Sequence, residues 1–363
     1  MLKKFPFPLL TFLLFSFCTQ EKPDIRVVCE NSRGNSENSP GNYRIKWELL
    51  PPMKGTVNIY ESNSPDSFDI KTPLVTVNIS YGFKDIFANS NLSRSYFELV
   101  FNNKYSVITA ERVLPMQQLN NFRDLGGYYN ENNLQTKWGK LYRSSSLTYA
   151  SKSDLKFLNI LKIKTVIDFR PERDRLKLPT RYKATHIINL PLRENPPTFF
   201  ADKILSKQMK QNDVIIAQQD NLSYIVANNS DYFEYLFETL LEKTNYPIVI
   251  TCTLGKDKTG LAAALILTAL GVDREQIISD FLLSNELIDY ELFIPNNDIY
   301  ASDEDVQKTM TTMLSANQEV LTYILNKITK QYGSIDKYLE TEIKLTPQKR
   351  EKLKELLLYP EAK

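Results

Sequence analysis

Residues Pro247 to Gly271 read PIVITCTLGKDKTGLAAALILTALG. The apolar run Pro247 to Thr251 (PIVIT) lacks the alternation of a half-exposed strand, which predicts a central strand covered on both faces. Cys252 follows it directly, Gly255 marks a loop, and the Ala- and Leu-rich stretch Leu261 to Leu270 has a helical period. Strand, tight loop and helix in that order turn the loop amides and the helix N-terminus toward one concavity, a site for an anion such as phosphate. The same field favours a thiolate, the nucleophilic form of cysteine. Lys256 and Lys258 add positive charge, and Asp257 between them is placed to hand a proton to a leaving oxygen. The plainer alternative is a buried structural cysteine beside a solvated Lys/Asp turn.

Upstream, Lys164 to Phe169 (KTVIDF) is a second short apolar run, and helical periods recur at Asp154 to Leu161 and Tyr232 to Leu241. Strands alternating with helices predict an α/β domain, a central sheet flanked by helices, over residues 114–363. Its last part is helical, with apolar residues three and four apart from Val306 through Ile328 and again near Tyr338 and Leu353. From Asp24 to about Val113 the pattern differs. Tyr43, Ile45, Trp47 and Leu49 alternate with Arg44, Lys46 and Glu48, the period of a strand with one buried face. Thr56 to Tyr60, Leu74 to Ile79, Tyr96 to Phe101 and Tyr105 to Ala110 are further strands. Asn102 and Asn103 supply the positive φ angles of a tight hairpin between the last two. About seven short strands predict a small all-β sandwich of immunoglobulin or fibronectin type over residues 24–113.

The chain has 363 residues, enough for about two domains. Its 45 Lys+Arg against 43 Asp+Glu, with no basic run, exclude a strongly basic nucleic-acid binder. The single histidine, His186, excludes a metal site of several histidines, and three cysteines exclude a four-cysteine zinc site. His186 lies in the strand-like THIINL and reads as structural. Trp47 reads as sandwich core and Trp138 as packing beside a turn at Gly139. The mixed cluster Arg170, Glu172, Arg173, Asp174 and Arg175 reads as a solvated loop or salt bridges. Hydrolytic chemistry here falls to carboxylates, a thiolate, backbone amides and cations, with no metal or cofactor.

Residues 1–17, MLKKFPFPLLTFLLFSF, hold two lysines and an apolar stretch of about thirteen, short of the roughly 20 that a membrane span needs. This is the pattern of an export signal. Cys18 and the polar run after it (18–23 as linker) resemble a bacterial lipoprotein signal whose cysteine is acylated, although Phe17 replaces the usual small residue. A lipid-anchored protein on a bacterial membrane, facing the periplasm or the cell surface, is expected, with plain secretion as the alternative. Cleavage before Cys18 removes Lys3 and Lys4 and leaves cations and acids equal in number. Cys29 and Cys252 then remain besides the acylated residue, too few for a disulfide framework.

The segment CTLGKDKTG resembles the phosphate-binding loop of cysteine-dependent tyrosine and dual-specificity phosphatases, and within them the CxxGKDRTG loop of a bacterial branch of secreted tyrosine and phosphoinositide phosphatases. Asn121 to Gly127 (NFRDLGG), Trp138 to Ser144 (WGKLYRS), Ile163 to Arg170 (IKTVIDFR) and Tyr332 to Glu340 (YGSIDKYLE) are similar to segments of the same branch. The resemblance spans about 115 to 358 and leaves out the sandwich. It implies that Cys252 attacks phosphorus to form a phosphocysteine. Amides of Thr253, Leu254, Gly255, Lys256 and on through Gly260 would hold the non-bridging oxygens, and the Thr259 hydroxyl would assist the thiolate as leaving group. Asp257 is the implied general acid, with Asp124 as the second carboxylate to weigh. Lys256 resembles the extra cation of branches acting on phosphoinositides, and Arg123 is either a rim residue or a structural salt bridge.

Two positions depart from that pattern. Thr251 stands where His usually precedes the cysteine, and Lys258 where Arg usually follows it. A guanidinium holds two phosphoryl oxygens with a planar fork, whereas an ammonium is a point charge. If the loss equals one preorganised donor, turnover falls roughly 10²- to 10³-fold. The expectation is a phosphatase acting on a phosphorylated protein or small phosphomonoester. The alternatives are a phosphoinositide or inositol phosphate phosphatase, or a non-catalytic phosphate-binding surface protein.

Overall fold

The computed structural model describes residues 23–31, 42–87, 94–195, 201–290 and 303–360. The leader, Cys18 and all of the polar loop after Asn31 lie outside the described residues. Seven strands form where the sequence alternates: β1 (Asp24–Asn31), β2 (Asn42–Leu50), β3 (Thr56–Ser62), β4 (Val75–Asn78), β5 (Phe83–Phe87), β6 (Tyr96–Phe101) and β7 (Tyr105–Ala110). They build two antiparallel sheets, in the orders β1-β2-β5 and β4-β3-β6-β7. Tyr43, Ile45, Trp47 and Leu49 turn inward together and pack with Val57, Ile59, Phe97, Leu99 and Phe101. Asn102 and Asn103 take φ of 50° and 53°, the left-handed turn that the right-handed twist of a hairpin needs.

Among the described residues, the rest of the chain builds one five-stranded sheet from β8 (Arg123–Asp124), β9 (Leu141–Ser144), β10 (Thr165–Asp168), β11 (His186–Asn189) and β12 (Ile248–Thr251), in the order β11-β10-β12-β9-β8. The four strands β9 to β12 are parallel and β8 is antiparallel to β9. The central β12 is buried at every residue, which is why its sequence has no polar alternation. Helices α1 (Lys152–Ile160) and α2 (Glu172–Lys177) link β9, β10 and β11. Helices α3 (Ala201–Leu205), α4 (Gln211–Asn228) and α5 (Ser230–Leu240) lead to β12, and α6 (Asp257–Ala269) leaves it through the cysteine loop. After it come α7 (Arg274–Leu282), α8 (Ser284–Leu287), α9 (Glu304–Leu314), α10 (Gln318–Tyr332), α11 (Ile335–Thr341) and α12 (Pro347–Leu357). Every residue of α6 from Lys258 to Leu267 is buried, with α4, α7 and α11 packed against it. A helix that is apolar all round is stable only when wrapped in this way.

Two elements differ from the sequence reading. The helical period from Val306 to Ile328 is broken between α9 and α10, because the Asn317 amide is taken by the carbonyls of Thr312 (2.8 Å) and Ser315 (3.3 Å) and by Gln218 Oε1 (2.8 Å). Helix α4 has no clear apolar period, since its buried face carries Gln218 and Asn221 beside Val214, Leu222 and Ile225. His186 begins the edge strand β11 and is exposed, paired by backbone with Thr165.

The two sheet systems have separate cores but meet across a polar lock. Arg94 Nη1 donates to Asp124 Oδ2 at 2.6 Å and to the Tyr142 hydroxyl at 2.9 Å, with its guanidinium 4.7 Å from the Tyr96 ring centroid. Asp124 is fully buried, and its remaining capacity is filled by the Gly126 and Gly139 amides, each at 2.7 Å. Trp138 joins Tyr96 and Ala110 in a small apolar cluster and donates its indole N–H to the Ile108 carbonyl at 3.0 Å. A buried pair is costly to break because the partner is left as an uncompensated charge. Asp124→Asn is therefore expected to cost about 3–5 kcal/mol in urea denaturation. Lys140→Ala, which removes an ion pair whose Asp66 partner is exposed, should cost less than about 1 kcal/mol.

Candidate active site

The parallel strands end at one edge of the sheet, and Cys252 leaves the central strand there. In open sheets of this kind ligands bind outside the carboxyl ends of the strands. The thiol is buried at the base of the loop, 6% exposed. Gly255 adopts φ of +68°, and a Cβ there would lie 2.3 Å from the Ser144 carbonyl oxygen, so the turn needs glycine for conformation and for space. Thr251, in the place of the usual histidine, donates its hydroxyl to the Ser145 carbonyl at 2.6 Å and so ties β12 to the end of β9.

The shape of the loop is fixed by what takes its carbonyls. The Ser146 amide donates to Thr253 O (3.1 Å), and Asn121 Nδ2 to Leu254 O (3.1 Å) and Gly255 O (2.9 Å). Arg143 Nη2 reaches Gly255 O (2.7 Å) and Lys256 O (3.3 Å). In a planar trans peptide the N–H points opposite to the C=O. With the carbonyls of Thr253 through Lys256 drawn outward, the amides of Leu254 through Asp257 face the other way, toward the concavity.

Arg143, and Asn121 by way of Arg123, are themselves held by one carboxylate. Asp280 Oδ2 accepts from Arg143 Nη1 at 2.5 Å, and Oδ1 from Arg123 Nε at 2.9 Å and the Tyr128 hydroxyl at 3.0 Å. Arg123 also bonds the Asn121 side chain and the Asp280 carbonyl. Burial pushes the Asp280 carboxyl up, but Arg123 and Arg143 beside it outweigh that and hold it well below the usual carboxylate range. Sequence reasoning missed Asp280, Arg143 and Asn121 as loop supports. A signal was present: Asp280 lies three residues after Ile277 and one before Phe281, on the buried face of α7.

The predicted site residues divide. Lys258, in the first turn of α6, is 9% exposed and its ammonium lies 2.9 Å from Glu194 Oε2. Asp257 stands at the start of α6 with its carboxylate 3.2 Å from Lys256 Nζ. Thr259 Oγ1 is buried and has no hydrogen-bond partner among the described residues, which leaves a hydroxyl available in the helix's first turn. Gly260 is a packing position, where a Cβ would stand 2.7 Å from the Phe281 ring.

Lys256 turns away from the loop mouth: it is buried and donates to Ser315 O (2.9 Å) and Met313 O (3.3 Å) at the end of α9. Asp124 is not brought to the loop, since its oxygens are consumed in the polar lock, and a carboxylate so placed has no path to a leaving group. Arg123 is fully buried on Asp280 and forms no part of a rim. Arg170 is also no solvated residue, being buried and fork-bound to Asp168 through Nη2 at 2.7 Å, while Arg173 remains exposed.

A parallel sheet with a cysteine loop shaped to present amides and a helix N-terminus is the architecture of a thiol-based phosphatase domain. Residues 114–359, well over half the chain, match the profile of the tyrosine phosphatase family, and the chain belongs to that family. A protein of Cupriavidus necator provisionally named a tyrosine-protein phosphatase is 26% identical over 238 residues, covering 64% of this chain and 84% of that one. The triple specificity protein phosphatase PtpB of Mycobacterium tuberculosis is 32% identical over 103 residues, 26% of this chain and 37% of its own length. Among solved structures, the core catalytic domain of the PP-IP phosphatase SIW14 from S. cerevisiae aligns at 16% identity over 59% of this chain and 94% of that domain, with a TM-score of 0.28. Family and named relatives support phosphatase activity, as a phosphoric monoester hydrolase, without fixing tyrosine as the substrate.

Asp280→Asn leaves Arg123 and Arg143 facing a neutral group, and is expected to cost about 3–5 kcal/mol at pH 7. Because the folded-state carboxyl is depressed, the ionised Asp280 contributes fully above its ordinary value of about 3.9 and loses that contribution as pH falls below it. The stability difference between wild type and variant, from urea curves, should be largest at neutral pH and shrink at pH 3.

Proposed function

We propose that this protein hydrolyses phosphomonoesters through a phosphocysteine on Cys252. The observation that carries the reading is the outward engagement of the loop carbonyls by Ser146, Asn121 and Arg143, which leaves amides for the phosphoryl oxygens above the thiol. Cys252 Sγ attacks phosphorus in line with the leaving oxygen, and Asp257 gives that oxygen its proton. The amides and Lys258 stabilise the charge on the equatorial oxygens. Water then attacks the phosphocysteine, and the Thr259 hydroxyl bonds the departing sulfur. Lys258 supplies one point of charge where an arginine would supply a fork, so turnover about 10²- to 10³-fold below that of an arginine loop is expected.

A substrate with one phosphate, such as a phosphotyrosine-like ester on a protein or small molecule, fits this site best. Lys256, the extra cation that would favour phosphoinositides, is committed to the carbonyls of Met313 and Ser315. Export and acylation at Cys18, placing the enzyme on a bacterial membrane toward the periplasm or cell surface, belong to the same proposal and rest on the leader pattern. So does a sandwich of immunoglobulin or fibronectin type, which the seven-strand, two-sheet arrangement supports.

The test is phosphate release from an aryl phosphate by wild type, Cys252→Ser and Lys258→Arg. Slow release by wild type, none by Cys252→Ser and a gain of about 10-fold or more in Lys258→Arg are expected. Equal release by wild type and Cys252→Ser would refute the thiolate mechanism. No release by wild type together with release by Lys258→Arg would make the natural protein a phosphate-binding one.

A further inference from the structure

Sequence reasoning assigned no role to Glu194, yet it stands against the one loop cation left for a phosphoryl group. Its Oε2 is 2.9 Å from Lys258 Nζ. The chain on both sides of it is clamped. The Arg193 amide donates to Asn229 Oδ1 at 2.7 Å, Asn229 Nδ2 returns a bond to the Arg193 carbonyl at 3.0 Å, and the Asn195 amide donates to Asn221 Oδ1 at 3.2 Å. The Arg193 guanidinium adds a fork onto Asp231, at 2.7 and 2.8 Å. Asn221 and Asn229 are both buried. These two buried amides, from α4 and the α4–α5 junction, fix the backbone of a carboxylate that projects to the loop from beyond β11. Fixing a backbone so thoroughly is the arrangement expected of a group that must be held at a reacting centre.

We propose that Glu194 is a catalytic residue of this site: the base that takes a proton from the water that breaks down the Cys252 phosphocysteine. The inference rests on the phosphocysteine reading above. An ammonium has three donors, so Lys258 can keep Glu194 on one and place another on a phosphoryl oxygen. Two acceptors on one tetrahedral nitrogen stand about 4.7 Å apart at ordinary hydrogen-bond lengths. A water lodged beside that line, touching both the carboxylate and the phosphoryl group, has room at the roughly 2.6–3.2 Å that proton transfer needs. As the water oxygen bonds to phosphorus, its proton passes to the Glu194 carboxylate. The P–Sγ bond breaks with its electron pair returning to sulfur, giving inorganic phosphate, thiolate and a protonated Glu194 that releases its proton to solvent.

Asp124 is sealed in the polar lock and reaches neither step. Asp257, 3.2 Å from Lys256, is the acid of the first step, and Glu194, on the loop's other cation, is the base assigned to the second.

Rapid-quench kinetics with an aryl phosphate separate the two steps. In Glu194→Gln the burst of phenol should keep the wild-type rate and reach one equivalent per enzyme. Steady-state turnover should fall about 100-fold while phosphoenzyme, trapped by denaturation at alkaline pH, accumulates, and Glu194→Asp should recover part of the turnover. A merely structural role would slow the burst as well, and a carboxylate that only competes with substrate for Lys258 would raise turnover on removal; either result overturns the proposal. Phosphoenzyme that forms in wild type and breaks down equally fast in Glu194→Gln overturns the role of Glu194 alone. Phosphate release that survives Cys252→Ser removes the phosphocysteine itself, and this inference with it.

Discussion

The buried carboxylate of Asp280 is the point on which the site depends. It gathers Arg123 and Arg143 from two neighbouring strands, and through them and Asn121 it holds the carbonyls of a loop that has no regular structure of its own. A loop of backbone amides has no intrinsic preference for turning them all one way. The cost of burying an acid and two guanidiniums is offset here by hydrogen bonds to every nitrogen but Arg143 Nε, close to the condition under which buried ion networks are tolerated. What the network gains is geometry: the direction of the loop carbonyls, and so of the amides, is fixed by the protein itself.

The same economy governs the cations around Cys252. Arg123 and Arg143 shape the loop from behind, Lys256 binds the last carbonyls of α9, and Lys258 faces Glu194. Four positive side chains lie around the loop, and three of them are spent on structure. Lys258 is thus the loop cation whose charge is not committed to a backbone carbonyl. Lys256 also couples the loop to the helical part of the domain, because the helix it anchors is the one that ends at the break before α10.

Local periodicity was enough to read most of the scaffold. The alternation in Tyr43 to Leu49, the unbroken PIVIT and the Asn102–Asn103 turn each report a condition that acts within a few residues: one buried face, two buried faces, or positive φ. Helix α4 escaped because its buried face spends Gln218 and Asn221 on hydrogen bonds, one of them to the segment that carries Glu194. Around Cys252, the order of a buried strand, a loop and a helix was legible from the order of residue types. The side chains around them were harder, because a charge carries no mark of its partner. Asp124 reads as an acid in a functional segment, but Arg94 claims it from the sandwich; Lys256 reads as a substrate cation, but its acceptors lie more than fifty residues along the chain. Glu194 had no signal until the fold brought it to Lys258.

The central claim is that the Asp280 network presents the loop amides as a ready cradle above the Cys252 thiol. A crystal structure with tungstate, a phosphate-shaped oxyanion, tests it most directly. The account predicts the anion seated in the loop over Cys252 Sγ, with amides from Leu254 to Asp257 and the Lys258 ammonium within about 3 Å of its oxygens. An anion bound elsewhere, or loop carbonyls turned toward it with the Asp280 network intact, would contradict it.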